Sequence, residues 1–363
     1  MAASTGWACA GQSGDTGPVD DASDSVDSVD IVDSVDTVDS VDSVDSVDSV
    51  GVPDAELDSV SDVADETVAD TVQASQPVPG DGVSLTRTDG GVVRGELVAI
   101  YDHRDYWLEP EETETWAVFD PTGLAPAAAD DTSLTFVDGR DIQRFTRSAL
   151  PVGTVRYRDA LRAAGIVLQA VPLDGLAYVI TADSDYHLKE WGYGHFAWDF
   201  GVTDTQGSTW SPPGTDNPNY YVWDRPLFSP VGGPLVEAIG DAPDNAVSLD
   251  AVPFGARNNL VGVRVHGNYY VYLLHQRQGS LPATLAVGDT VSVGDMLGRV
   301  GNSGVSQAPH VHVVLLWFDA TANRSWSVPA EFADIHMSTR AEASDFAPFA
   351  SPATGVWVSN QPF

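Results

Sequence analysis

A run of Ser-Val-Asp triplets between residues 25 and 50 restricts folded structure to the later part of this chain. The first 82 residues contain 20 acidic side chains and no lysine or arginine, and valine is nearly the only apolar residue of the repeat. Such a segment repels itself and cannot bury enough apolar surface to offset the entropy lost on ordering. We therefore predict a disordered acidic tail over residues 1–82, which either holds a folded region away from a surface or only raises solubility.

The remaining 281 residues stay acidic, since they contain 33 of the 53 acidic side chains and all 17 basic ones. The negative charge of the tail argues against nucleic acid or an anionic membrane face as a partner. The chain also has a single cysteine, Cys9, which excludes an intramolecular disulfide and a cysteine-rich zinc site.

Cys9 lies in "GWACAGQSGD", directly before the acidic tail, and resembles the lipidation site of a bacterial lipoprotein. The preceding "MAASTGWA" lacks the positive and apolar regions of a signal peptide. Two interpretations stay open: the natural start lies upstream and Cys9 carries a lipid anchor, or Cys9 has no such role. No other stretch is long and apolar enough to span a bilayer.

Short runs rich in valine, leucine, threonine and aromatic residues follow Gly82, separated by Asp-Gly and Gly-Gly pairs. This pattern is typical of β-strands joined by turns, so we predict a mainly β protein with a small β-rich region over residues 83–180. One helix is expected within residues 154–167. Residues 203–230 are rich in proline, glycine, asparagine and aromatics without periodicity, and predict a long loop that is either functional or a surface excursion.

The segment "APHVHVVLL", residues 308–316, places two histidines one residue apart in an apolar run. Alternate side chains of a strand point to opposite faces, so His310 and His312 would share one face. Two imidazoles on one face can reach a single metal ion. A pair of ordinary core histidines is the alternative, and the pair alone does not decide between them.

The segment "GYGHFAWDFGV", residues 192–202, alternates in the same way. As a strand it presents His195 and Asp199 on one face and buries Phe196, Trp198 and Phe200 on the other. An amphipathic strand with a simple His–Asp hydrogen bond is equally compatible with this segment alone. Together the two segments offer three zinc ligands and a spare histidine, and three protein ligands are typical of catalytic zinc sites.

Five features in this order resemble the lysostaphin-like zinc metallopeptidases, which include the β-lytic endopeptidases and many peptidoglycan endopeptidases of bacterial envelopes. They are the His-x-x-x-Asp pattern, "YLLHQ", the hairpin "VGDTVSVGDMLGRVGNSG", "PHVH" and "VPAEFADIH". The resemblance covers about residues 190–340, and the order of the features is more specific than any one of them. The hairpin also resembles biotinyl and lipoyl carrier domains, but it lacks the lysine that those domains modify.

The resemblance implies an antiparallel β-sheet core with a substrate groove, in a peptidase domain over residues 181–345 followed by an extension over residues 346–363. It implies one Zn²⁺ per chain, held by His195, Asp199 and His312. His310 and His275 match two catalytic histidines that do not bind the metal. In this interpretation His310 accepts the proton of the attacking water, and His275 donates a hydrogen bond to the oxyanion.

The implied activity is hydrolysis of peptide cross-links of bacterial peptidoglycan by metal-activated water, in the cell envelope or outside the cell, by a monomer. A secreted metalloprotease acting on proteins and a non-catalytic cell-wall-binding activator of other hydrolases remain as alternatives. The sequence departs from the family pattern at Ala197, where glycine is usual, and in the loop of residues 203–230. We expect structural or surface roles for the other histidines: His103, His187, His266 and His336.

Overall fold

The structure is a computed structural model that describes residues 76–102, 114–120, 134–182, 194–248, 250, 252, 256–320 and 323–363. Cys9 and the predicted tail as far as residue 75 lie outside the described residues. His103 and His187 lie outside them as well.

The first described region is a five-stranded antiparallel sheet followed by a short helix. The strands are β1 Gly82–Arg87, β2 Val92–Tyr101, β3 Thr115–Phe119, β4 Leu134–Asp138 and β5 Ile142–Ser148, in the order β4-β3-β2-β1-β5. A 3-10 turn over Gly139–Asp141 joins β4 to β5. Helix α1 spans Tyr157–Ala163, and the chain leaves it through Gly165, whose φ of 73° is readily adopted only by glycine.

The rest of the described chain is almost entirely β-structure. Its strands are β6 Ala177–Ala182, β7 Ala197–Gly201, β8 Pro226–Phe228, β9 Gly233–Ile239, β10 Leu260–His266, β11 Tyr269–Leu274, β12 Thr290–Val291, β13 Met296–Arg299, β14 Val311–Asp319, β15 Arg324–Ser327, β16 Phe332–Ser338, β17 Asp345–Ala350 and β18 Trp357–Ser359. A 3-10 turn lies at Asn217–Asn219.

Most of these strands form one large antiparallel sheet in the order β12-β9-β10-β11-β14-β7-β6-β18-β16-β17, with β15 also paired to β14. Strands β8 and β13 form a separate ribbon. The predicted mainly β, antiparallel fold is therefore confirmed. The predicted boundaries at 180/181 and 345/346 fall within β6 and β17 of this sheet, and the division into domains stays a prediction. Among the described residues, no helix has the length and apolar character to cross a bilayer.

One face of the large sheet packs against the small sheet and α1. Trp198 and Phe200 of β7 are fully buried on this face, as the alternation of residues 192–202 predicts. They share a core with Tyr101 and Phe119 of the small sheet and with alternate residues of β14, beginning at Val311. The small sheet therefore covers the face that carries these aromatics.

The opposite face carries His312 and Asp199. Cross-strand register places Asp199 opposite His312, and His312 opposite Leu274. A smaller apolar cluster continues this face, formed by Ala197, Leu260, Tyr272, Leu274, Val314 and Leu316. The described strands of the small sheet thus pack on the side of the large sheet opposite to His312 and Asp199.

Candidate active site

The histidine pair lies at the start of β14, next to Asp199 of β7. The Nδ1 atom of His312 is 3.0 Å from the Oδ1 atom of Asp199, and both residues are buried. His310 directly precedes the strand, and its Nε2 atom is 3.4 Å from the same carboxylate oxygen. The register of β7 with β14 thus brings together side chains that are 113 positions apart in the sequence.

His275 follows the last residue of β11 and joins this group. Its ring centroid is 4.6 Å from that of His310 and 5.8 Å from that of His312. The residue has a φ of 64°, a backbone conformation that is uncommon for residues other than glycine and often found at functional sites. The Asn258 side chain stabilises it by accepting a hydrogen bond of 3.0 Å from the His275 backbone N–H.

The protonation of His275 follows from its surroundings. Its Nδ1 atom is 2.7 Å from the backbone oxygen of Ser303, and a carbonyl oxygen can only accept, so Nδ1 carries a proton. Burial lowers the pKa of His275 well below its ordinary value of 6.5, and His310 and His312 lower it further. The neutral ring therefore offers Nε2 as an acceptor, and the expected donation to an oxyanion would require a second proton.

A buried polar chain connects His310 to the long loop. The Nδ1 atom of His310 lies 2.9 Å from the Ala308 oxygen and 3.4 Å from the Ser306 hydroxyl, which donates to Asn302 Oδ1 at 2.6 Å. The Asn302 amide in turn donates to Asn217 Oδ1 at 3.0 Å, in the 3-10 turn of the loop. Sequence reasoning missed Asn302 and Ser306, because their only signal is two polar residues, one at the end of the quoted hairpin segment and one just after it.

The loop of residues 203–230 is therefore attached beside the site. It carries an exposed indole, Trp210, whose ring centroid is 6.0 Å from that of Tyr220. A second indole, Trp223, lies under the Arg277 guanidinium at 5.4 Å.

His195 is placed differently from the strand prediction. Strand β7 begins at Ala197, and the Phe196 N–H donates to the Ser327 hydroxyl at 3.1 Å rather than continuing the ladder with β14. The His195 ring centroid is 5.5 Å from that of Tyr101 and 4.5 Å from that of Phe196. Within the described ranges, no group of three or more His, Cys, Asp or Glu residues has a geometry that could hold a metal ion.

The atoms around Asp199 nevertheless fit part of a zinc site. Two ligands bound at about 2.0–2.1 Å in tetrahedral geometry lie roughly 3.3 Å apart, close to the 3.0 Å between Asp199 Oδ1 and His312 Nδ1. The Nδ1 proton of His310 is directed to the Ala308 carbonyl, so the Nε2 atom of the neutral ring carries a lone pair. This lone pair faces the Asp199 carboxylate, so two acceptors lie side by side. A cation stabilises such a contact. Asp199 and His312 thus fit two ligands of one ion, and the complete three-ligand set with His195 stays a prediction.

The other described histidines lie elsewhere. His266 is exposed at the end of β10, and the ring of His336 in β16 packs against that of Phe346 at a centroid distance of 5.3 Å. The site is therefore built from Asp199, His275, His310 and His312, with His195 outside β7.

No family model and no curated protein matches the sequence. Three of the matching solved structures are a protein described as a glycyl-glycine endopeptidase LytM from Ruminococcus gnavus, the catalytic domain of the prophage-encoded M23 protein EnpA from Enterococcus faecalis, and the antimicrobial peptidase lysostaphin from Staphylococcus simulans. The first is 18% identical over 49% of this chain and 64% of its own, with a TM-score of 0.31. The second is 19% identical over 45% and 94%, with a TM-score of 0.24. The third is 15% identical over 52% and 79%, with a TM-score of 0.25.

The chain therefore spans 64% of the length of the LytM protein. Since all three TM-scores lie below 0.5, a functional conclusion has to rest on the geometry of the site rather than on the superpositions. The resemblance to the lysostaphin-like peptidases therefore rests on the motifs of the sequence.

Proposed function

We propose that this protein is a zinc-dependent endopeptidase that hydrolyses peptide cross-links of bacterial peptidoglycan. The observation that supports it is the clustering of His275, His310 and His312 beside the Asp199 carboxylate, where β11 ends and β14 begins. A carboxylate and three imidazoles supply both metal ligands and proton carriers, which are the groups that amide hydrolysis needs.

Asp199 and His312 would hold the ion, with His195 as the third ligand that the family resemblance implies. When bound, zinc supplies a Lewis acid that polarises a carbonyl and makes water more acidic. The 3.0 Å between Asp199 Oδ1 and His312 Nδ1 places the two donor atoms side by side, as two ligands of one ion would be.

His310 is placed to accept the proton of the attacking water. Its Nδ1–H is directed to the Ala308 carbonyl, so the neutral ring exposes the Nε2 lone pair on the side of Asp199. The same atom can return the proton to the leaving amine, which completes general acid–base catalysis.

His275 offers a second acceptor at Nε2, beside the His310 ring. Because its lowered pKa leaves it neutral at pH 7, it can accept a hydrogen bond from the water or from a substrate N–H. Asn258 holds the His275 backbone, and the Ser303 carbonyl holds the ring through Nδ1.

The test is mass analysis of fragments released from purified, cross-linked peptidoglycan. We expect soluble fragments that identify one scissile peptide bond, loss of release on chelation, and recovery on addition of zinc. His310→Ala should abolish release, whereas His266→Ala, a change at an exposed histidine outside the site, should leave it unchanged.

Three results would refute the proposal. Release of the same fragments by protein treated with a chelator would exclude a metal-dependent reaction. Efficient digestion of an unfolded protein, with the peptidoglycan left uncleaved, would identify a general metalloprotease. Binding to peptidoglycan without release of fragments would identify a non-catalytic cell-wall protein. If the activity is as proposed, the protein acts in the bacterial cell envelope or outside the cell, where its substrate lies.

A further inference from the structure

The face that carries Asp199 and His312 extends across three further strands to a glutamate. Glu237 of β9 lies opposite Gly262 of β10, which lies opposite Tyr272 of β11. Tyr272 in turn lies opposite Val314 of β14, two residues beyond His312 on the same face. Because directly paired residues point to the same side of a sheet, Glu237 and His312 share one face.

Tyr272 and Glu237 are joined across the intervening strand. The Tyr272 hydroxyl donates to the Oε2 atom of Glu237 at 3.1 Å. To reach it, the ring lies over Gly262, where a Cβ atom would be 2.6 Å from the nearest ring carbons. Glycine at position 262 is thus required by the close approach of the ring to the backbone. The hydrogen-bonded pair of Tyr272 and Glu237 is thus a specific structural feature of this face.

Glu237 differs from the two buried glutamates of the described residues. Those two, Glu96 and Glu331, both contact guanidinium groups at 2.8–3.0 Å, from Arg156 and from Arg158 and Arg162 respectively. Glu237 is half-buried and, in the part of the chain that the structure describes, its hydrogen-bond partner is the neutral Tyr272 hydroxyl. Burial raises the pKa of Glu237, and the bond from Tyr272 lowers it. Keeping a partly desolvated carboxylate charged costs free energy, and a cationic ligand lowers that cost.

We propose that Glu237 and Tyr272 form a subsite that binds a primary ammonium group of the substrate peptide. This inference rests on the proposed peptidase function, because the ligand is part of the substrate that the peptidase would bind. An ammonium group supplies positive charge and N–H donors for the Glu237 carboxylate. The Tyr272 hydroxyl holds that carboxylate in place.

The position of the subsite indicates which part of the substrate it reads. Glu237 is three strand spacings of about 4.8 Å and two residues along from His312, so the two lie on the order of 15 Å apart. An extended peptide spans that distance in about four to five residues. A contact so far from the scissile bond is made in the ground state and the transition state alike, so it changes KM rather than kcat.

The test compares two cross-bridge peptides that share the scissile bond found by the fragment analysis. One ends in a free amine about four to five residues from that bond, and the other is acetylated at this amine. For the unmodified protein we expect acetylation to raise KM about tenfold with kcat unchanged. For Glu237→Gln we expect both peptides to show the raised KM. The matched control Glu342→Gln, at an exposed carboxylate, should behave as the unmodified protein does.

Two results would overturn the subsite while leaving the peptidase in place. The first is equal discrimination between the peptides by the protein and by Glu237→Gln. The second is that neither the unmodified protein nor Glu237→Gln distinguishes the two peptides. A lower melting temperature of Glu237→Gln would then show that the hydrogen bond from Tyr272 is purely structural. If neither peptide is cleaved, calorimetric binding of both peptides to the full chain decides the case. Tighter binding of the free amine, abolished in Glu237→Gln, keeps the subsite and rejects the peptidase, and equal binding rejects both.

Discussion

Removing the Asn302 side chain should both destabilise the fold and slow the reaction. This amide is fully buried, and it donates to Asn217 Oδ1 at 3.0 Å while accepting from the Ser306 hydroxyl at 2.6 Å. Each such bond contributes about 1 kcal/mol net, and a buried partner left without its bond costs a further 1–3 kcal/mol. We therefore expect Asn302→Ala to lower the free energy of unfolding by about 2–4 kcal/mol.

The effect on the reaction follows from the contact of Ser306 with His310. When Ser306 loses Asn302, its hydroxyl donates instead to the Ala308 oxygen at 3.0 Å. This is the oxygen that accepts from His310 Nδ1, so the competition weakens the hold on the His310 ring. A loss of orientation worth about 1.4 kcal/mol would lower kcat tenfold. Asn302→Asp separates the two effects, because it keeps the acceptor for Ser306 and removes the donor to Asn217. We expect this variant to lose stability and to retain more of kcat.

Urea unfolding at equilibrium measures the stability, and release of peptidoglycan fragments over time measures the rate. Gln361→Ala is the matched control, since this side chain is exposed at the C-terminal end of the described chain. An Asn302→Ala variant with the urea midpoint and kcat of the unmodified protein would refute the connection from the loop to His310. Equal losses of kcat in Asn302→Ala and Asn302→Asp would show that Ser306 does not transmit the effect.

Three further predictions concern the site and its core. His312→Ala should lose bound zinc, whereas His310→Ala should keep it and lose activity; stoichiometric zinc in purified His312→Ala, measured by elemental analysis, would contradict the ligand assignment. Trp198→Ala should lower the free energy of unfolding by about 3–5 kcal/mol in urea, because the ring is fully buried; a loss below about 1 kcal/mol would show that the site does not depend on this core. The lowered pKa of His275 means that the unfolded state takes up this proton before the native state does. The stability of the metal-free protein should therefore fall as the pH drops below about 6.5 toward the lowered native pKa, and His275→Gln should weaken that dependence in urea titrations; an unchanged dependence would place the titration elsewhere.

Much of the site was predictable because its parts follow local alternation. The period of two along residues 308–316 puts His310 and His312 on one face, and the same period buries Trp198 and Phe200 behind Asp199. Alternation predicted His195 wrongly as a strand residue. A local pattern carries no information on the hydrogen bond from the Phe196 N–H to Ser327, which lies in a strand more than a hundred positions later.

The amino-acid sequence by itself determined the β character of the chain, the inward face of each strand and the residue types available for the chemistry, since all three depend on neighbours within a few positions. The tertiary structure alone decided that Asp199 stands opposite His312, that the Ser303 carbonyl sets the tautomer of His275, and that the long loop is bonded through Asn302 to His310. It also decided that Glu237 shares their face. Register between strands far apart in sequence depends on the packing of the whole sheet, and no local pattern encodes it.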